Sequence, residues 1–555
     1  MKIAIVGTSN SVLTNGYAPL YRAIEYPHQV DNFSLGATIC QFIPFALEKH
    51  AICENYDFLL TDSCPNDSDC FYCGQRTTDW FYNELCTIFS TIKETQIRHL
   101  HLIFPYKRTK LLQKMHVQVC EELSIPYLDI GTILSPIAKK EKQDFFQDIH
   151  HVSPYFAKQL AYCIKQKREE IMAQPQKKSG TSYKTKVYST YDLTKHFQGQ
   201  YPLVTRASSH LCEQFIRLKT KEKLHLTNLP ALNLEGLYFY TNKEAGFFNL
   251  ASEHASHNYS LYFPTADYIF YQPIPQNTFA VENFLILQAG YNKNADALIM
   301  ENNAAPLKKD QSELMLNALF FSQKIDSPRL WEEKTQPSAS QNDIQLFENI
   351  HTCISSLTRK QKTSILFPAD GILIGASLYP QNTWVRKEFA CLLKQIANPY
   401  YFYYFALLYL FPRKKYTMAI RFLEKAVEIK NDIPFLELLI TCYLEKKAYA
   451  KALKYISQKM PANHIITYKL FCMLAAAMQN KELFFLNAQK ILSCNSHIDY
   501  LLFLASSCIK LKAFQEAVSL LNTALGEQRN FRPDNAEQNM QKINALMQKI
   551  QEQNE

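Results

Sequence analysis

A serine, an aspartate and a histidine stand in the N-terminal third of this chain, in contexts that let them share one reaction. Ser9 lies in Gly7-Thr8-Ser9-Asn10-Ser11, directly after the apolar run Lys2 to Val6, which reads as a short buried strand. Asp148 and His151 stand in Asp148-Ile149-His150-His151. That D-x-x-H spacing lets a single turn hold the carboxylate against the imidazole and fix its tautomer. Nucleophilic acyl chemistry needs a serine, a base, a group that orients the base, and donors for an oxyanion. Two further positions fit the last requirement. Gly36 ends a second predicted strand, where a backbone N–H can point at a bound oxygen. Asn66, in Cys64-Pro65-Asn66-Asp67, follows a third predicted strand and carries an amide that can donate. Each such donor is worth roughly 2.7–4 kcal/mol in the transition state. Ser and Asn after a strand are also ordinary turn and cap residues, so Ser9 gains meaning only through its companions. His150 is the competing base; the D-x-x-H spacing favours His151 and leaves His150 as a surface or substrate contact.

The elements that must position these residues alternate in type. Strands are predicted at Lys2 to Val6, Val30 to Leu35, Tyr56 to Thr61, His101 to Phe104 and Tyr127 to Ile130. Helical stretches are predicted at Leu13 to Ile24, Ala37 to His50, Thr78 to Ile92, Lys110 to Leu123 and Pro154 to Arg168. Such alternation implies a parallel sheet with helices on both faces. Ligands of these sheets sit beyond the carboxyl ends of the strands, where Ser9, Gly36 and Asn66 fall.

The order of these blocks resembles the SGNH (GDSL-type) hydrolase superfamily: a G-D-S-like start, a glycine, a G-x-N-D-like turn and a late D-x-x-H. Here they read Gly7-Thr8-Ser9-Asn10-Ser11, Asn32-Phe33-Ser34-Leu35-Gly36, Pro65-Asn66-Asp67 and Asp148-Ile149-His150-His151. The resemblance covers residues 1–172 and implies a flavodoxin-like three-layer α/β domain. It implies Ser9 as nucleophile, His151 as base and Asp148 as its orienting acid. The Ser9 backbone N–H, Gly36 and Asn66 would form the oxyanion hole. Thr8 replaces the usual aspartate, and Cys64-Pro65 stands where the family has its glycine.

Beyond a polar linker at 173–186 the texture changes. Residues 187–380 carry short aromatic runs separated by Asn, Pro and Gly, and read as a mainly β region with a carbohydrate-binding sandwich or a structural spacer as its options. Thr278 to Leu287 and Ser364 to Leu378 are further strand candidates. In 381–535, Tyr416…Ala419, Tyr449…Ala452 and Phe514…Ala517 repeat an aromatic and a small residue, with Glu482 to Phe485 in the intervening gap. A period of 32 to 33 residues resembles tetratricopeptide repeats, which stack helix pairs into a solenoid. The signature Trp and Gly of the first helix are missing. Residues 536–555 read as a polar helical tail.

Composition bounds the partners. At 555 residues the chain exceeds one core and implies several domains. Its 33 Tyr and 36 Phe serve either packing or stacking on sugars. Fifteen cysteines without framework spacing, and no export signal, point to free thiols in the cytoplasm. The longest apolar stretch, Tyr400 to Phe411, spans 12 residues, short of the about 20 that a bilayer needs. It reads as a buried helix, with Arg413-Lys414-Lys415 beside it as a peripheral membrane contact. A net charge of +9 favours an anionic partner only weakly, and no nucleic-acid module is recognisable. Cys64, Cys70 and Cys73 read as free thiols rather than a zinc site, and His254 with His257 as a turn rather than a metal pair. Lys107, Arg108, Lys110 and Lys114 read as a solvated run or a place to meet an anionic substrate.

The expectation is a serine-dependent O-acetyltransferase acting on a capsule-like or other surface glycan. Acetyl-CoA would be the co-substrate, with no bound cofactor and no metal. A carbohydrate acetylesterase, and a silent scaffold recruiting protein partners through the repeats, are the alternatives.

Overall fold

The computed structural model describes residues 1–141, 144–175, 183, 186–207, 212–227, 232–241, 247–260, 268–274, 279–292, 295, 297–299, 313–324, 329–334, 341–356, 369–462, 464–494, 498–528 and 533–554. Five strands open the chain: β1 (Lys2–Val6), β2 (Gln29–Asn32), β3 (Phe58–Thr61), β4 (Arg98–Ile103) and β5 (Tyr127–Asp129). They form a parallel sheet in the order β2-β1-β3-β4-β5, the doubly wound order of flavodoxin-like folds. Between and after them run α1 (Ser9–Val12), α2 (Ala18–Ile24), α3 (Phe42–Lys49), α4 (Ile52–Asn55), α5 (Cys64–Tyr72), α6 (Thr78–Glu94), α7 (Leu111–Glu122), α8 (Ile130–Glu141) and α9 (Pro154–Ala173).

Alternation along each strand builds two cores. Ile3, Ile5, Phe58, Leu60, Leu100 and Leu102 face one side, with Tyr21, Ile133, Phe156 and Leu160 of α2, α8 and α9. Ala4, Val6 and Leu59 face the other, with Phe45, Phe81, Phe89 and Met115 of α3, α6 and α7. Successive side chains of a strand point to opposite faces, so a strand covered on both sides must be apolar throughout. Several boundaries differ from the sequence reading. The predicted helix Leu13 to Ile24 is two short pieces, because Gly16 bends the chain before Ala18-Pro19 opens α2. Helices α5 and α8 were not expected.

The β region packs on the α3 and α6 face. One sheet runs Tyr268–Pro273, Leu232–Thr241, Glu313–Lys324, Cys212–Lys219, Leu203–Ala207, with Ala280–Val281 also paired to Leu232–Thr241 and Lys186–Asp192 to Glu313–Lys324. A second runs Ala297–Ile299, Ser256–Ser260, Phe247–Ala251, Phe284–Ala289, Lys223–Thr227, and a shared apolar core lies between the two. Part of the aromatic load is spent here. Phe45 of α3 meets Tyr238 at 5.0 Å, Tyr271 at 5.2 Å and Phe320 at 5.7 Å between ring centroids. Rings buried against a helix are not a sugar platform. A polar latch accompanies them: Lys186 lies 2.9 Å from both Glu84 and Glu235, and Gln41 donates to Glu235 at 2.7 Å.

The β region ends at Lys324, and the stretch expected to continue it is helical. Gln341–Ser356 and Ala369–Leu378 are helices. The reading of Ser364 to Leu378 as strand is therefore corrected from Ala369 onward, while 364–368 lie outside the described residues. A short apolar run carries no periodicity that separates a buried helix from a strand. Both helices rest on α9, and Gln341–Ser356 also on α8. His351 bonds Gln159 at 2.9 Å and Glu141 at 2.6 Å, and Lys165 pairs with Asp370 at 2.6 Å. Most of the expected linker also lies outside the described residues.

The repeat positions coincide with helices. Tyr416–Ile429, Tyr449–Lys459, Lys481–Cys494 and Phe514–Gln528 each precede a second helix, at Ile433–Glu445, Ile465–Ala477, Ile498–Lys510 and Pro533–Asn554. Ala419, Ala426, Ala452, Ala517 and Ala524 are fully buried, where small side chains let helices approach closely. The C-terminal helix also packs, with Ile543 and Ile550 in the apolar core of this end. Pro399–Phe405 and the π-helical turn Ala406–Leu410 make the expected buried segment, with Tyr400, Tyr401, Phe405 and Tyr409 in the core that reaches α2 and α9. Among the described residues no helix is long and apolar enough to cross a membrane.

Candidate active site

Ser9 begins α1, three residues past the end of β1. A buried carboxylate builds this turn. Asp62, just after β3, accepts the Thr8 amide at 3.0 Å and the Thr8 hydroxyl at 2.7 Å, and also bonds the Ser11 hydroxyl. Gly7 has to be glycine, because a Cβ there would sit 2.1 Å from Asp62 Oδ2. The Gly7 amide donates to Ser34 Oγ at 2.8 Å, and Asn32 Nδ2 donates to the Ser11 carbonyl at 2.8 Å. Burial pushes the Asp62 carboxyl up, and the Ser11 and Thr8 hydrogen bonds offset only part of that. The turn that carries Ser9 is thus tied to its two neighbouring strands.

Asp148 and His151 sit in the loop before α9. The carboxylate lies 2.6 Å from His151 Nδ1, and its other oxygen accepts the backbone amides of His150 at 2.8 Å and His151 at 2.9 Å. Burial alone would raise the Asp148 pKa; the His151 hydrogen bond and the two amides outweigh it and hold the group below the usual carboxylate range. An ionised Asp148 requires His151 Nδ1 to donate, which leaves Nε2 as the basic nitrogen.

Asn10 joins the two halves. Its amide donates to the His150 carbonyl at 3.0 Å and its oxygen accepts the Val152 amide at 3.2 Å. The residue next to Ser9 therefore grips the peptide groups on both sides of His151. Ser9 Oγ itself hydrogen-bonds Asn66 Oδ1 at 3.2 Å. The hydroxyl faces the Asn66 amide rather than the imidazole; serine–imidazole hydrogen bonds commonly tighten only when a substrate binds.

The two expected oxyanion donors lie in different settings from those read in the sequence. Asn66 is in the first turn of α5, not in a loop, and its position against Ser9 brings an amide to the serine hydroxyl. Gly36 lies beyond β2 rather than at its end, because β2 stops at Asn32. The chain then follows β1 loosely through Leu35, whose amide donates to the Gly7 carbonyl at 3.1 Å. It turns at Ala37, which is in the left-handed region at φ 58°. A Cβ on Gly36 would lie 3.7 Å from Val12 of α1, so Gly36 borders the helix that carries Ser9.

Around this centre lie Asp69, Tyr106 and Tyr72, which the sequence reading did not single out. His150 faces Asp69 at 3.4 Å and Tyr106 at 5.4 Å between ring centroids, and Tyr106 donates to Asp69 at 2.7 Å. The His150 hydrogen bond holds Asp69 below its usual range. Asp69 is one helical turn from Asn66, and Tyr72 one further. Tyr72 is 57% exposed, with the Arg108 guanidinium 5.0 Å from its ring centre. The basic run is partly neutralised: Lys107 pairs with Asp144 at 2.7 Å and Lys114 with Glu333 at 2.6 Å. Cys64 and Cys70 are buried and Cys73 is exposed, and none of the three is in a disulfide. His254 pairs with Glu282 at 3.1 Å, while His257 packs on Phe279. Asp62 was legible in principle, since it follows β3 as Ser9 follows β1.

No protein-family model and no curated relative matches the chain. Parts of it superpose on solved structures. One is a two-domain esterase active on acetylated mannans, at 12% identity over 59% of this chain and 92% of that one, with a TM-score of 0.41. Another is the lipase/acylhydrolase from Enterococcus faecalis, at 20% identity over 32% and 99%, with a TM-score of 0.25. A third is Axe2, an acetylxylan esterase from Geobacillus stearothermophilus, at 13% identity over 32% and 97%, with a TM-score of 0.25. Likenesses this partial say nothing about activity, which rests on the side chains of the site.

Proposed function

We propose that this chain is an SGNH-type acyl-handling enzyme that works through an acyl-Ser9 intermediate. The observation that carries the reading is the convergence at one sheet edge: Ser9 Oγ at 3.2 Å from Asn66, and Asn10 bonded on both sides of His151. His151 Nε2 takes the Ser9 proton as Oγ attacks the acyl carbon. The carbonyl electron pair moves onto oxygen, where the Ser9 and Gly36 amides and the Asn66 side chain are the donors. Rotating the Asn66 amide end for end presents its NH2 to that oxygen. Collapse expels the leaving group with the proton from His151. A second hydroxyl, deprotonated by the same imidazole, then takes the acyl group and frees Ser9.

The finer reading is O-acetyl transfer from acetyl-CoA to a capsule-like or other surface glycan. The exposed Tyr72 ring with Arg108, two turns along α5 from Asn66, supports a sugar acceptor: an aromatic face and a multidentate donor suit a sugar ring and its oxygens. With acetyl-CoA as donor the reaction would run in the cytoplasm, and the helix pairs would hold a protein partner. Acetate release without CoA would instead assign the esterase, in which water is the acceptor.

Intact-mass spectrometry after mixing with acetyl-CoA should find one added acetyl group that maps to Ser9. Ser9→Ala should abolish it and lower turnover by at least about 10⁴-fold. Full activity in Ser9→Ala would overturn the mechanism.

A further inference from the structure

Behind the oxyanion segment runs a chain of buried side chains that the mechanism above does not use. Asp67, the residue after Asn66, is fully buried. Its Oδ1 accepts the Cys40 amide at 2.8 Å, in the loop that carries Gly36. Its Oδ2 accepts the Ser63 hydroxyl at 2.7 Å, at the start of α5, and lies 3.1 Å from His116 Nε2 of α7. His116 Nδ1 lies 2.9 Å from His101 Nε2, and His101 Nδ1 lies 2.8 Å from Thr61 Oγ1. Thr61 Oγ1 lies 2.7 Å from His99 Nε2. Among the described residues His99 Nδ1 has no hydrogen-bond partner.

We infer that Asp67, His116, His101, Thr61 and His99 form a one-way hydrogen-bond chain that positions the two oxyanion segments. Each direction along the chain follows from the last. Asp67 receives a backbone amide and a hydroxyl, so it is the acceptor and His116 Nε2 donates. His101 Nε2 donates to His116, which accepts at Nδ1. His101 accepts at Nδ1 from the Thr61 hydroxyl, whose oxygen accepts from His99 Nε2. Burial holds His99 down to about 3 and His101 well below its usual range, so these rings are neutral and carry one N–H each. The chain ends on a lone pair at His99 Nδ1. The opposite direction would leave a buried N–H there without a partner, which is the rarer and costlier fault. Asp67 is thereby held as a fixed acceptor where the Gly36 loop and the Asn66 turn meet. These are positioning residues; they touch no substrate, and their catalytic consequence rests on the acyl-transfer reading.

The test uses the full chain labelled with ¹⁵N-histidine. His116 is expected as the Nε2–H tautomer, with an unprotonated Nδ1, and the Cys40 amide is expected to exchange slowly. His116→Leu should speed Cys40 exchange and lower kcat on acetyl esters by about 10- to 100-fold, with KM within threefold. His116→Gln, which can donate to Asp67 and accept from His101, should restore most of both. Thr61→Val, close in shape, serves if His116→Leu does not fold, and should speed Cys40 exchange as well. Ser9→Ala should remove turnover and leave tautomer and exchange as they are, so loss of the enzymatic reading is separable from loss of this one. An Nδ1–H tautomer at His116, or Cys40 exchange indifferent to both His116→Leu and Thr61→Val, would overturn the proposal.

Discussion

Asp148 combines two roles in one carboxylate: one oxygen orients His151, and the other closes the loop by accepting two amides. Its folded pKa lies below the ordinary aspartate value, so the sign is that of a stabilising carboxylate. The contribution is complete above the unfolded value of about 3.9. It is lost as pH falls through the lower, folded one. Selective ¹³C labelling should therefore find the Asp148 carboxyl titrating below about 3.9, and Asp148→Asn should remove that transition. A midpoint above that value would mean the loop is not closed on Asp148 in solution.

At the scale of elements, one buried ion pair fixes two helices of the apolar face. Arg168 of α9 grips Glu25, just after α2, through two hydrogen bonds of 2.9 and 2.7 Å. Burial pushes Glu25 up, and Arg168 offsets that only in part, so the carboxylate is costly to leave alone. Arg168→Ala should destabilise the chain by about 3–5 kcal/mol, whereas the pair Glu25→Leu with Arg168→Met should be far milder. Urea unfolding of the full chain, followed at the transition in which α9 melts, distinguishes them. Equal loss in the single and double variants would mean that packing, not the stranded charge, dominates.

At the scale of the molecule, the α/β domain is covered on both faces. Its α3 face carries the aromatic ring cluster with Tyr238, Tyr271 and Phe320, and its α2 and α9 face shares a core with Tyr400, Phe405 and Tyr409. A fragment cut after residue 175 would expose both. Contiguous apolar patches of that extent drive association, so the fragment is expected to be insoluble or oligomeric in size-exclusion chromatography. A well-behaved monomer would show that the outer regions are appended rather than integral.

The sequence by itself determined the strand–helix alternation, the sheet type, the order of Ser9, Gly36, Asn66, Asp148 and His151, and the period of the helix pairs. Each is written in local spacing, through apolar periodicity, motif order or recurring small residues. Only the tertiary structure decided how Ser9 and His151 are joined. Asn10, Asp62 and Asp67 act on partners far away in the chain, and no local pattern marks an asparagine whose amide pairs with a distant loop. The tertiary structure also decided which aromatics pack, since a ring facing a helix and a ring facing a sugar have the same sequence. The helix at Ala369–Leu378 followed the same logic. A short buried run is shaped by what covers it, and here the cover is α9. The opening serine is thus legible as a candidate from its neighbours in sequence, while its setting is the work of residues that become its neighbours only in the fold.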